Sequence, residues 1–257
     1  MIVLAAGYGT RLGQAGRDSA KALLEIDGEP ILSRLVALGE ALSGIDEILV
    51  VHNEHFAADF EDWHRKRPPG PALTLLNDGS TASDNKLGAL GDLALALERP
   101  PARGHDLLVM AGDHLLDVDL VPALEVFLRY RDPTLILRER DPEPAGKPSR
   151  YNEVKVDPEG RVTRFIEKPE EPESPFAAIA LYFFPESVGD RLGVYLASGG
   201  NPDAPGHFVA WLVSETTVRA VPIQGTWRDI GDPESLAAAR GPSSGSGRLE
   251  RAEDATE

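Results

Sequence analysis

Two aspartates, two lysines and an arginine stand where this chain of 257 residues could do phosphate chemistry. Near the N-terminus an apolar run, Ile2 to Ala6, breaks into Gly7-Tyr8-Gly9-Thr10 and ends on Arg11. Glycines let backbone N–H groups approach an anion, and a cation beside them neutralises phosphate charge. Lys21 then opens a second apolar run, Ala22 to Ile26. A strand, a glycine loop, Arg11 and a returning Lys21 together read as a grip for a nucleoside triphosphate. The loop is no dinucleotide fingerprint, because Gly7-x-Gly9-x-x-Leu12 lacks the third glycine, and no Gly-Lys-Ser/Thr makes it a Walker loop.

Further along, Asp113 follows the apolar Val109-Met-Ala through Gly112. A carboxylate at a strand terminus suits a hard metal ion that also touches phosphate oxygens, although Gly-Asp after a strand is also an ordinary turn. In Thr226-Trp-Arg-Asp-Ile-Gly-Asp-Pro233, Asp232-Pro233 reads as a helix N-cap with proline at the first helical position. Asp229 stands three residues before that cap, and two carboxylates brought together from distant strands would hold Mg²⁺ better than either alone. Glu167-Lys168-Pro169 places a point charge for a phosphate monoester after a strand, and its plain alternative is an exposed Glu-Lys pair. The stretch from Asn77 to Asp92 is polar and rich in turn residues, and runs into a helix from about Asp84 to Leu97 that encloses Gly88 and Gly91. Glycines inside a helix cost about 1 kcal/mol each against alanine, so they call for close approach of a ligand or of another element. A capped helix packed tightly on the sheet is the alternative. Tyr182 and Trp227 read as core or pocket-wall aromatics.

Positioning these residues requires alternating elements. Strand-like runs at 2–6, 47–51, 72–76 and 106–110 are separated by helical patterns at 30–42, 55–65 and 84–97. The alternation argues for an α/β fold: a three-layer sandwich with a mostly parallel central sheet and helices on both faces. In such sheets ligands sit beyond the carboxyl ends of the strands. In the second half, Asp141 to Pro148 reads as a proline-rich loop. Arms at 153–156 and 161–166 read as a small β-hairpin or lid turned by Asp157-Pro-Glu-Gly160. Ala177–Phe184 and Thr216–Ile223 read as strands, and Pro233–Arg240 as a last helix. Residues 241–257 turn to Gly/Ser and mixed charge and read as a disordered tail.

Composition narrows the function classes. The net charge of −16 opposes a polyphosphate backbone, so no nucleic-acid partner is expected. A small phosphorylated substrate then needs local cations and a divalent metal. With no cysteine, disulfides and thiolate metal sites are excluded. No apolar run approaches the ~20 residues that cross a bilayer and no charged leader precedes an apolar core, so the reading is a soluble cytoplasmic protein without a membrane partner.

Leu4-Ala-Ala-Gly-Tyr-Gly-Thr-Arg-Leu12, with Lys21-Ala-Leu-Leu-Glu-Ile26 and Gly28-Glu-Pro-Ile-Leu32, resembles the signature of sugar-1-phosphate nucleotidylyltransferases. Ala20 stands where that family usually has proline. The resemblance implies one nucleotidyltransferase domain over 1–240, with a nucleotide-binding half at about 1–135 and an acceptor-binding half at about 136–240. It implies that Arg11 and Lys21 hold the triphosphate, and that Leu4, Ala6, Gly7, Gly9, Asn77 and Gly88 line the nucleotide. It also implies that Asp113 and Asp229 bind Mg²⁺, that Glu167 holds acceptor hydroxyls and that Lys168 holds the acceptor phosphate. Asp232 stands where threonine is usual, and the family's glutamine-proline-glycine arrangement is absent from 77–92. The partners implied are an NTP and a phosphorylated small-molecule acceptor, and, because members commonly associate, a homo-oligomer. The reaction needs no general base, since the acceptor is already an anion, so His114 is assigned a supporting or surface place. The acceptor stays open between a sugar 1-phosphate and a non-sugar phosphate such as phosphocholine or a cyclitol phosphate. A catalytically silent nucleotide-binding relative is the third reading.

Overall fold

Side chains along the central strands alternate between two apolar cores, as a period of two requires of strands covered on both faces. A computed structural model describes residues 1–100, 102–140 and 149–241, apart from the side chains of Arg17 and Asp18. The expected proline-rich loop at 141–148 and the tail from 242 onward lie outside the described residues. The first half runs β1 (Ile2–Leu4), α1 (Gln14–Asp18), β2 (Glu25–Ile26), β3 (Glu29–Pro30), α2 (Ile31–Glu40), β4 (Glu47–His52), α3 (Ala57–Lys66), β5 (Ala72–Asn77), α4 (Ala89–Leu97) and β6 (Leu107–Ala111). The second half runs β7 (His114–Val118), α5 (Val121–Tyr130), β8 (Thr134–Glu139), β9 (Glu153–Val156), β10 (Val162–Ile166) and β11 (Phe176–Phe184). It closes with α6 (Val188–Ala197), α7 (Pro205–Glu215), β12 (Arg219–Pro222), β13 (Gly225–Asp229) and α8 (Pro233–Ala239).

Among the described residues the main sheet has nine strands. Its path β5-β4-β1-β6 is parallel throughout, β11 runs antiparallel to both β6 and β8, and β12 is again parallel to β8. One reversed strand thus sits in an otherwise parallel set. The β9–β10 hairpin attaches to the start of β11 where Phe176 pairs with Val154. Val3, Val50, Met110 and Phe183 face one core with α2, α3, α5 and α8, whereas Ile2, Val51, Val109 and Phe184 face the other with α4, α6 and α7.

The apolar run after Lys21 is a 3₁₀ turn over Lys21–Leu23 followed by the two-residue β2. One reading needs correction. The helix read from about Asp84 starts only at Ala89, so Gly88 is its N-cap and not an interior glycine. Gly88 has φ +81 there, and a Cβ on it would lie 2.7 Å from the Pro202 carbonyl oxygen. Leu90 N donates to that same oxygen at 2.8 Å. The glycine lets the segment around 202 close over the helix start, which is the close approach its cost called for.

Candidate active site

β1 delivers the chain to the loop Ala5–Gly9 at the carboxyl end of the sheet, where a strand's last amides are free to meet a ligand. Gly9 takes a left-handed conformation at φ 58. A Cβ on Gly16 would fall 2.2 Å from the Gly9 carbonyl oxygen, so the loop folds back onto the start of α1 with no room for a side chain. Beside β1, β6 ends at Gly112, whose N–H donates to the Leu4 carbonyl at 2.8 Å. A Cβ there would lie 2.9 Å from both the Leu4 oxygen and the Ala5 Cβ. Gly112 therefore lets the turn that carries Asp113 lie flat against the nucleotide loop.

Asp229 is brought in by a separate two-stranded sheet. β13 pairs antiparallel with β7, with Trp227 opposite Leu116 and Asp229 opposite His114. The Ile230 N–H donates to the Asp113 carbonyl at 3.0 Å, extending the ladder by one step. Residues that face each other in such a ladder have Cα atoms about 4.5–5.5 Å apart. This register places the two carboxylates at one mouth, from positions far apart in the chain.

Lys21 completes the group. Its side chain is nearly buried, and Nζ donates to Asp113 Oδ2 at 2.5 Å. Burial raises the Asp113 carboxyl, but the Lys21 charge and hydrogen bond outweigh it and leave the group below its ordinary range. Asp229 moves the other way, raised by burial and then by the negative charge of Asp113. Burial keeps His114 neutral by lowering its pKa against the pull of both aspartates. Its ring lies edge-on to Trp227 at 5.4 Å, and among the described residues its Nδ1 has no hydrogen-bond partner. His114 is a buried wall residue of the site and not a surface group.

These residues surround a cavity of about 370 Å³ whose lining includes Leu4, Gly7, Lys21, Asp113, Lys168 and Asp229. Six of the residues singled out from the sequence therefore meet in one place. Its opposite wall, from β11 and α7, is apolar and aromatic, with Tyr182, Phe184, Phe208 and Val209. Burial and then the Glu167 charge raise the Tyr182 hydroxyl. Lys168 adopts φ 47, an uncommon backbone state for a side-chain-bearing residue and one concentrated at functional sites. Glu167 lies against the first turn of α7, where a Cβ on Gly206 would meet its Oε2 at 1.9 Å.

The other expected residues stand around this cavity and not on it. The Ala6 carbonyl accepts from Asn53 Nδ2 at 2.9 Å, which ties the loop to the end of β4. Arg11 is exposed on a 3₁₀ turn, within electrostatic reach of Asp229. Asn77 ends β5, donating to Glu54 Oε2 and accepting from the Gly79 N–H at 2.8 Å, so it shapes a turn. Gly9 and Gly88 serve backbone geometry. Asp232 is the N-cap of α8 in a capping box with Ser235, and Pro233 follows it at the first turn, as expected. Sequence reasoning missed Asp92, buried in the first turn of α4. Its signal was present: it is the one charged residue in the apolar run Ala89–Leu97.

Parallel strands end on a glycine loop, with two acids and a lysine across its mouth. The chain matches the Nucleotidyl transferase family over residues 1–241 and belongs to it. It is a nucleotidyltransferase. Among curated proteins it is 29% identical to the UTP–glucose-1-phosphate uridylyltransferase AglF of Haloferax volcanii, covering 91% of each chain. It is 29% identical to the enzyme of the same name from Synechocystis, covering 93% of this chain and 62% of that one. It is 24% identical to the bifunctional protein GlmU of Methanocaldococcus jannaschii, of which it spans 52%. Among solved structures, UDP-glucose pyrophosphorylase in complex with UDP-glucose superposes with a TM-score of 0.76 at 17% identity, covering 93% of this chain and 95% of that one. UDP-glucose pyrophosphorylase from Acinetobacter baumanii superposes at 0.74 and 18% identity, covering 93% and 90%. Both share the fold.

Proposed function

We propose that this enzyme joins an NTP to a sugar 1-phosphate, giving an NDP-sugar and pyrophosphate, with Mg²⁺ at Asp113 and Asp229. The observation that carries the reading is the β7–β13 register, which sets Asp229 beside the Asp113 turn at the mouth of the glycine-loop cavity. The donor set fits the ion. Mg²⁺ takes one or two carboxylates and fills its other positions with phosphate oxygens and water. Here two carboxylates converge, and among the described residues no group of three or more His, Asp or Glu side chains forms a closed cage. When bound, the ion would neutralise charge on the reacting phosphates.

The residues of the chain do the rest by placement and charge. Gly7 and Gly9 admit the triphosphate to the loop backbone. Lys21 and Arg11 offset its charge, and Lys21 also holds Asp113 in place. Lys168 anchors the acceptor phosphate and Glu167 meets acceptor hydroxyls. A nonbridging oxygen of that phosphate attacks the α-phosphorus in line, the bond from the α-phosphorus to the α,β-bridging oxygen breaks, and pyrophosphate leaves. No proton has to be removed from the acceptor, consistent with a neutral, buried His114. A cytoplasmic location would supply such an enzyme with NTP, and among the described residues no helix is long and apolar enough to cross a membrane.

One observation favours a second acceptor class. Tyr182 on the cavity wall, with Glu167 near enough to act on its hydroxyl, offers an aromatic ring and a carboxylate to a cationic group, and phosphocholine carries one. Pyrophosphate release from a panel of NTPs with glucose 1-phosphate, mannose 1-phosphate, inositol phosphate and phosphocholine separates these readings. Turnover with a hexose 1-phosphate is expected. Turnover with phosphocholine alone moves the acceptor to the second class. NTP binding without turnover on any acceptor overturns the enzymatic reading.

A further inference from the structure

A second group of acids lies on the other side of the nucleotide loop, outside the cavity. Tyr8, between Gly7 and Gly9, donates its hydroxyl to Ser80 Oγ at 3.0 Å. Ser80 is held in turn by Asp78, with its N–H 2.7 Å and its Oγ 2.8 Å from Asp78 Oδ1. The carboxyl of Asp92, in the first turn of α4, lies within hydrogen-bonding reach of Asp78. Asp92 is 6% exposed, and among the described residues its Oδ1 has no hydrogen-bond donor. Two carboxyl groups bond to each other only through a proton held between them. The next residues on the helix, Leu90 and Leu93, line the cavity.

We infer that Asp92 is a positioning residue for the nucleotide: a proton shared between Asp92 and Asp78 keeps Ser80 and Tyr8 in place, and with them the glycine loop that receives the triphosphate. The inference rests on the nucleotide-binding reading of that loop. Burial, then Asp78, pushes the Asp92 carboxyl up to about 7. Asp203 adds a third negative charge, and Lys86, paired with Asp203 at 2.6 Å, is the cation that opposes them. Asp84 and Asp78 both act on Tyr8. Of the elements packed on α4, β1 brings no titratable side chain and α6 carries the exposed Asp190 together with Arg191. β4 carries Glu47 and His52, and His52 is turned to the Asn53 carbonyl and stacked on Phe60. Above neutral pH the shared proton leaves, and Asp78, Asp92 and Asp203 repel with one lysine between them. The turn holding Tyr8 then loosens.

The test is calorimetric binding of Mg-UTP, Mg-CTP, Mg-dTTP, Mg-ATP and Mg-GTP to the full chain from pH 6 to 9, continued with the tightest binder. The wild-type Kd is expected to rise several-fold across this range, with kcat at saturating NTP little changed. Asp92→Asn, which donates a hydrogen bond without titrating, keeps the low-pH Kd throughout. Tyr8→Phe binds weakly at every pH and loses the pH response. Asp203→Asn, on the exposed loop, moves the inflection to lower pH because it removes a like charge. An Asp92→Asn or Asp203→Asn curve that overlays wild type, or a Tyr8→Phe that binds like wild type, overturns the inference. Failure of every NTP to bind at any pH instead removes the nucleotide reading beneath it.

Discussion

Two sets of carboxylates flank the same glycine loop, and they are neutralised by different means. On the cavity side, Asp113 and Asp229 arrive from different sheets, with Lys21 bound to one of them and room for a divalent ion. On the far side, Asp78, Asp92 and Asp203 gather around one partly exposed lysine. The first set opens on the cavity, where substrate phosphates can bring a metal with them. Asp92 is sealed in an apolar helix face, where a proton is the only counter-ion small enough to enter. Like charges at close range thus call for a cation where they are reachable and for a shared proton where they are not.

The largest effect is expected at the reachable set. Asp113→Asn should cut kcat by roughly 10²–10³ while far-UV CD and melting stay native-like, because it removes charge at the reacting phosphates. Near-normal turnover at saturating Mg²⁺ would erase the distinction between the two sets. Lys21→Met leaves Asp113 without its partner and should lower stability by about 1–3 kcal/mol by urea titration, discounted because Asp113 is partly open to solvent. The double variant Lys21→Met/Asp113→Asn should recover most of that stability and none of the activity. If the losses simply add, the ion pair is not what holds the turn.

The sealed set is expected to respond with the opposite sign. The folded-state pKa of Asp92, about 7, exceeds the ordinary carboxyl value of 3.8, so the folded chain holds the extra proton between those values. Its contribution to stability therefore falls as pH rises through that window and is level above it. Asp92→Asn should stabilise the protein by about 1–3 kcal/mol at pH 8 and by little at pH 4. An equal effect at both pH values would show that Asp92 is not protonated in the fold. The smallest effect belongs to Asp232→Ala, a loss of about 1 kcal/mol from the α8 cap with kcat unchanged. A fall in kcat would move Asp232 into the cation site beside Asp229.

The parallel half of the fold was legible because its strands are continuous apolar runs separated by helix-length patterns, and the structure moves their ends by only a few residues. The hairpin was legible from its Asp-Pro-Glu-Gly turn. β7, β8 and β13 were not, nor were α5, α6 and α7. β13 reads Gly-Thr-Trp-Arg-Asp, half exposed and without strict alternation, and only its partner 107–115 residues away along the ladder, at positions 114–118, makes it a strand. Of the candidate site, the residues carried by type and motif (Lys21, Asp113, Lys168 and Asp229) do meet. Asn77 and Gly88 do not reach the cavity, because turn geometry uses their side chain and backbone first. Asp92 was passed over because its partners, Asp78 and Asp203, lie in segments that periodicity does not bring together.

The late arrival of β13 also orders events during synthesis. A nascent chain can assemble β1 to β6 and close Lys21 onto Asp113 long before residue 229 leaves the ribosome, and domains generally fold from the N-terminal side first. Such a fragment would hold the loop and the lysine but lack the second acid.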